Sequence, residues 1–188
     1  MKIILYLISF AFFFSSAKAF HPGSDSVNCK SPESHQFDFW IGDWSIQQKI
    51  LQKDGTWLET EASTSVSPIF DGCALEEHWE GKVKFFWLSM DSVESMKGFS
   101  LRYYSVKDSM WHIYWLDNKS LEFGKDFSGN FKDGKGEFFS ERTTPHGKQI
   151  SRIVFSKLKP NSVHWDLAYS NDAGKNWTTI WIMEMSRK

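Results

Sequence analysis

Several signals are missing from this 188-residue chain, and each absence removes a class of function. It has two cysteines, Cys29 and Cys73, neither in a C-x-x-C pair nor beside a histidine at ligand spacing, which speaks against a zinc ribbon or a dithiol redox centre. Six histidines are present, but no H-x-H or H-E-x-x-H, so no metal site is expected. Lysine and arginine form no stripe or patch, which disfavours nucleic acid as a partner. There is no G-x-S-x-G, no phosphate loop and no dinucleotide fingerprint, and no cofactor is expected. Helical periodicity is nearly absent, no segment repeats at a fixed period, and none is low in complexity.

Long apolar runs are equally scarce. Ile3 to Phe14, about 12 residues, falls short of the ~20 that a spanning helix needs, and no later stretch comes close. With Met1-Lys2 before it and Ala17-Lys-Ala19 after it, the run reads as a signal peptide over residues 1–19; a membrane anchor is the alternative. Export, to a periplasm or the outside, is the expectation. Cys29 lies ten residues past Ala19, too far for a lipid-anchored start. Losing Lys2 and Lys18 leaves 20 of the 22 basic residues against 23 acidic ones, a formal charge near −3. In an oxidising compartment Cys29 and Cys73 are expected to form one disulfide tying the N-terminal arm, residues 20–36, to the Phe70-Asp-Gly-Cys73 turn.

Aromatics are abundant: 17% of the chain, with ten tryptophans. They lie in short alternating runs broken by turn chemistry such as Asp54-Gly55, Asp71-Gly72 and Asp133-Gly134, pairs that tolerate the positive φ of tight hairpins. The spacing predicts strands at 38–51, 57–67, 74–81, 97–106, 110–117, 120–131, 135–143, 148–159, 162–170 and 176–187. That pattern specifies an all-β domain over 37–188, a single antiparallel up-and-down barrel of nine or ten strands. Lys82 to Met96 breaks the rhythm and reads as an extra strand or a short helix over the barrel mouth. Ser170 to Trp177 matches an Asp-box hairpin except for Asn176 in place of threonine, and it predicts a hairpin only.

The stretch His35-Gln-Phe-Asp-Phe-Trp-Ile-Gly-Asp-Trp44 sets the frame. Gly42 allows a bend or close approach, and Trp44 supplies a plug for one end of the barrel. Period-two parity then assigns inward faces: Leu75, Glu77 and Trp79; Phe99, Leu101 and Tyr103; Trp111, Ile113, Trp115 and Asp117; Ile150, Arg152 and Val154; Val163, Trp165, Leu167 and Tyr169; and, on the last strand, Trp177, Thr179, Trp181, Met183 and Met185. His78, His112 and His164 face outward. Glu77 and Arg152 thus share a face with large hydrophobes, which leaves three readings: a register slip that puts them outside, a buried ion pair, or contact with a polar ligand.

The opening motif, together with Ile69-Phe-Asp-Gly-Cys-Ala-Leu-Glu-Glu-His-Trp79, Trp111 to Asp117 and Ser170 to Trp177, resembles a family of exported, mostly bacterial proteins of unknown function with a lipocalin-like (calycin-type) barrel. The resemblance spans about residues 29–187 and departs at Asp71, Ala173 and the long 82–96 segment. It implies a fold and no catalytic residue. By analogy with lipocalins, Arg187 is expected to stack on Trp44.

Three functions follow as expectations. The first is a small apolar or aromatic molecule held inside the barrel by Glu77, Trp79, Tyr103, Trp115, Asp117, Arg152 and Trp165. The second is a solid barrel that serves structure or a partner, which a cavity below ~300 Å³ would favour. The third is an enzyme with Glu77 as base and Arg152 stabilising an anion; no nucleophile–base pair supports it.

Overall fold

A computed structural model describes residues 31–145 and 147–188. The predicted signal peptide, most of the arm, Cys29 and His146 lie outside the described residues. Cys73 is placed, immediately before the third strand.

Ten strands are present: β1 (Gly42–Leu51), β2 (Trp57–Ile69), β3 (Ala74–Val83), β4 (Glu94–Ser105), β5 (Met110–Asp117), β6 (Phe127–Lys132), β7 (Lys135–Thr144), β8 (Gly147–Lys159), β9 (Ser162–Ser170) and β10 (Thr178–Arg187). Each pairs antiparallel with its neighbours in sequence, and β1 pairs with β10, so the sheet closes into an up-and-down barrel. Turn chemistry explains the tightest connections. Asp133 and Gly134 both take positive φ, 51° and 75°, and join β6 to β7 by two residues as a primed turn requires. Asp172 accepts from the Asn176 backbone N–H at 2.9 Å and from the Asn176 side chain at 2.6 Å, so asparagine fits the Asp-box turn where threonine was expected. Those hydrogen bonds, the backbone one first, hold the Asp172 carboxyl down to about 2.

Most strand ends fall within two residues of the sequence reading, and three regions differ more. Residues 38–40 form a 3-10 turn rather than the start of β1, because Phe37 and Trp40 turn in to fill the barrel end and are fully buried. Residues 120–126 are not strand: Asp117 accepts from the backbone N–H groups of Lys119 (2.9 Å) and Ser120 (2.8 Å) and stops β5 in a turn. In the 82–96 segment β3 runs on to Val83, Phe86–Leu88 form a 3-10 turn, and β4 begins at Glu94.

The closed end is built as the opening motif suggested. Trp44 is fully buried, stacks on Trp40 at 5.4 Å between centroids, and donates its indole N–H to the Trp40 carbonyl at 2.9 Å. The Arg187 guanidinium lies 4.2 Å from the Trp44 ring centroid and donates to the carbonyls of Ile41 (2.7 Å), Phe39 (2.8 Å) and Pro160 (2.9 Å). Gly42 has φ of 120°, and a Cβ there would sit 2.6 Å from Arg187 Nη1, so only glycine fits under the arginine. Phe37, Phe138 and Phe155 complete this end in edge and stacked contacts.

Higher in the barrel, buried Gln48 brackets the closing seam. It donates to Thr60 Oγ1 (2.9 Å) and to the Lys82 carbonyl (3.0 Å), and accepts from the Trp181 indole (2.9 Å).

Candidate functional site

Above the packed end the barrel interior is hollow, with a cavity of about 560 Å³. Trp79, Trp115, Trp165 and Trp181 wall it. Their rings meet edge-on: Trp79 contacts Trp115 at 6.0 Å and Trp181 at 5.7 Å, and Trp165 contacts Trp181 at 5.1 Å. Gly98 makes this geometry possible, since a Cβ there would overlap the Trp115 ring laid across the β4 backbone. Phe86, Trp87 and Leu88 sit at the mouth, facing a polar rim in which Arg142 donates to Gln149 (2.7 Å) and Gln149 to Asn171 (2.8 Å).

At the inner end lies a buried ion pair. Arg102 Nη2 donates to Glu77 Oε2 at 2.6 Å, with both side chains about 95% buried (6% and 5% exposed), and Thr64 donates its hydroxyl to Glu77 Oε1 at 2.8 Å. The Arg102 guanidinium also lies 5.5–5.9 Å from the ring centroids of Phe37, Trp40 and Phe155, so it rests on the aromatic floor that the plug supports.

Of the residues expected to line the interior, Glu77, Trp79, Trp115, Asp117 and Trp165 do so. Tyr103 and Arg152 do not, and both assignments are corrected. In β4 the inward residues are Met96, Gly98, Ser100 and Arg102; Tyr103 is on the outer face, stacked on His112 at 5.2 Å. Phe99 and Leu101 go outward with it. In β8 the interior receives Gln149, Ser151, Ile153 and Phe155. Arg152 is outside, its guanidinium 4.3 Å from the Trp177 centroid and 3.9 Å from Glu137, where an exposed aromatic face offers a cation more than the barrel would. A register shift in β10 between Thr179 and Trp181 explains why Trp177 is outside while Trp181, Met183 and Met185 point in. Glu77 and Arg152 therefore lie on opposite faces of the sheet, which removes the pairing on which the enzyme reading depended. Sequence reasoning missed Ser100, Arg102, Ile153 and Phe155. The available signal was Glu77 itself, which demanded a basic partner on a neighbouring strand.

Asp117 contributes to the rim as a structural acceptor, taking a hydrogen bond from the Trp115 indole at 3.1 Å as well as from its turn amides. On the outer face His112 sits between Asp126 (2.5 Å) and Asp108 (3.0 Å) and fastens the β5–β6 loop. Burial alone would lower its pKa, but the two carboxylates outweigh it and raise the imidazole above its usual 6.5. Among the described residues no group of three or more His, Cys, Asp or Glu side chains is placed to hold a metal ion, and no helix is long and apolar enough to cross a membrane.

No family model and no curated protein matches the chain. Solved structures with a similar course include EF1p2_mFAP2b bound to DFHBI, at 10% identity and TM-score 0.43, covering 83% of this chain and 99% of that one. Another is the S-type phycobiliprotein lyase CPES from Guillardia theta, at 11% identity and TM-score 0.43, covering 89% of this chain and 98% of that one. A third is a protein of unknown function from the DUF3598 family of Nostoc punctiforme, at 5% identity and TM-score 0.26, covering 84% of this chain and all of that one. The closed ten-strand up-and-down barrel rests on this chain's own strand register.

Proposed function

We infer that the protein is a non-enzymatic carrier that holds one small, flat, apolar or aromatic molecule inside its barrel. One observation carries this reading: a tryptophan-walled cavity of about 560 Å³, open at one end and closed by a rigid plug at the other. The volume lies within the range of small-molecule sites, ~300–1,000 Å³, and above what a solid barrel leaves. Indole walls give a large contact area at low entropic cost. Export belongs to the same proposal, with loss of residues 1–19 and a Cys29–Cys73 disulfide holding the arm; N-terminal sequencing and thiol titration of the protein from its native host test both.

Binding is tested by titration with N-phenyl-1-naphthylamine, a neutral dye that fluoresces on leaving water. Saturable binding at one site is expected. Leu167→Trp, which adds a further indole to the cavity and fills its volume, should abolish it. No dye uptake, or uptake unaffected by Leu167→Trp, overturns the carrier reading.

A further inference from the structure

The inner end of the cavity carries more than apolar walls. Arg102 Nε and Nη1, Ser100 Oγ and the indole N–H groups of Trp79 and Trp40 are buried and have no hydrogen-bond partner among the described residues. All four residues line the cavity, at 1–5% exposure. Every one of these atoms donates; the Ser100 hydroxyl alone can also accept. Buried donors are normally satisfied, so a group of them at the end of a cavity marks where a bound molecule presents acceptors.

Charge narrows the class. Glu77 already neutralises Arg102 at 2.6 Å, so the cluster is rich in donors but has no net charge. A carboxylate or phosphate brought here would be an uncompensated anion in a dry site, close to the Glu77 carboxylate. A carbonyl oxygen has two lone pairs and no charge, and it suits both the donors and the neutral pair.

The geometry points to a neutral aromatic carbonyl compound (an aryl ketone, quinone, lactone or imide) bound with its rings among the tryptophans and its oxygen at Arg102 and Ser100. This rests on the carrier reading and names the ligand class of that same site. Recognition of the oxygen, not the hydrophobic body, sets selectivity.

Three matched probes test it by displacement of N-phenyl-1-naphthylamine: 2-acetonaphthone, 2-ethylnaphthalene and 2-naphthoate, at pH 7.5. The ketone is expected to bind at least tenfold more tightly than the hydrocarbon, and the carboxylate no better than the hydrocarbon. Ser100→Ala, which leaves the ion pair intact, should cut the ketone preference several-fold. Glu77→Gln, which unmasks the Arg102 charge, should raise affinity for 2-naphthoate above that for the ketone. If the dye binds but ketone and hydrocarbon compete equally, or if 2-naphthoate is the tightest ligand of the unaltered protein, the head-group assignment fails and the carrier reading stands. If the dye itself does not bind, the carrier reading has failed first.

Discussion

The two ends of this barrel use the same amino acid for opposite purposes. At the closed end Trp44 and Trp111 are tied down, leaving only Trp40, on the cavity floor, with an unpaired N–H: Trp44 donates to the Trp40 carbonyl, and Trp111 donates to the Glu33 carbonyl at 3.0 Å and packs edge-on against Phe37. At the hollow end Trp115 and Trp181 donate to Asp117 and Gln48, but Trp79, buried to 2% exposure, has no hydrogen-bond partner for its N–H among the described residues. The difference separates stability from binding. The plug end holds the fold, and the other end can leave volume and the Trp79 donor unused because closure there is carried by the Gln48–Trp181 hydrogen bond and not by Trp79.

Substitutions at each end sharpen that division. Trp44→Ala should be the most damaging, losing about 3–5 kcal/mol in urea unfolding, since it leaves a large cavity and strips the Arg187 guanidinium of its ring. Arg102→Met strands the buried Glu77 carboxylate and should cost nearly as much, about 3 kcal/mol or more, while the double variant Glu77→Leu/Arg102→Met recovers most of it; equal instability of single and double variants would contradict the ion-pair description. Gly42→Ala should cost about 1–3 kcal/mol, from positive φ and the contact with Arg187. Leu167→Trp should change stability by less than ~1 kcal/mol while removing dye binding, the sharpest sign that the two ends act separately.

The smallest expected effect is one of pH, outside both ends. His112 has a folded-state pKa raised above 6.5, so protonation favours the native state. Its contribution is whole below about 6.5 and fades as pH rises through the shifted value. Unfolding free energies measured from pH 5.5 to 8.5 should show that decline in the unaltered protein and a flatter profile in His112→Asn.

How far the sequence alone carries depends on which end is considered. The plug was legible because its residues are large, apolar and adjacent: Trp40, Gly42 and Trp44 announce it within five positions, and Arg187 follows by analogy. The cavity was half legible. Glu77, Trp79, Trp115 and Trp165 obey parity, because their strands carry apolar residues inward and polar ones outward. β4 and β8 invert that signal. A wall that must leave room and offer donors places Gly98, Ser100, Arg102 and Ser151 inside, while Phe99, Leu101, Tyr103 and Ile150 take the other face. Hydrophobic parity therefore fails where a binding site displaces apolar packing. β10 is read correctly from Trp181 onward and fails only before it: the irregularity next to Ile180 changes the parity and puts Trp177 outside, and nothing in the local composition signals it.

The Gln48 bracket has a consequence for how the chain comes together. Its carboxamide joins the first strand to the second, the third and, across 133 positions, to the tenth. A slip of the β1–β10 seam by one residue would turn that amide outward and leave the buried Trp181 indole N–H without its acceptor, so misaligned closure is penalised at a single checkpoint. Until Trp181 emerges from synthesis the checkpoint has no counterpart, and the growing molecule waits with two bare strand edges for its tenth strand.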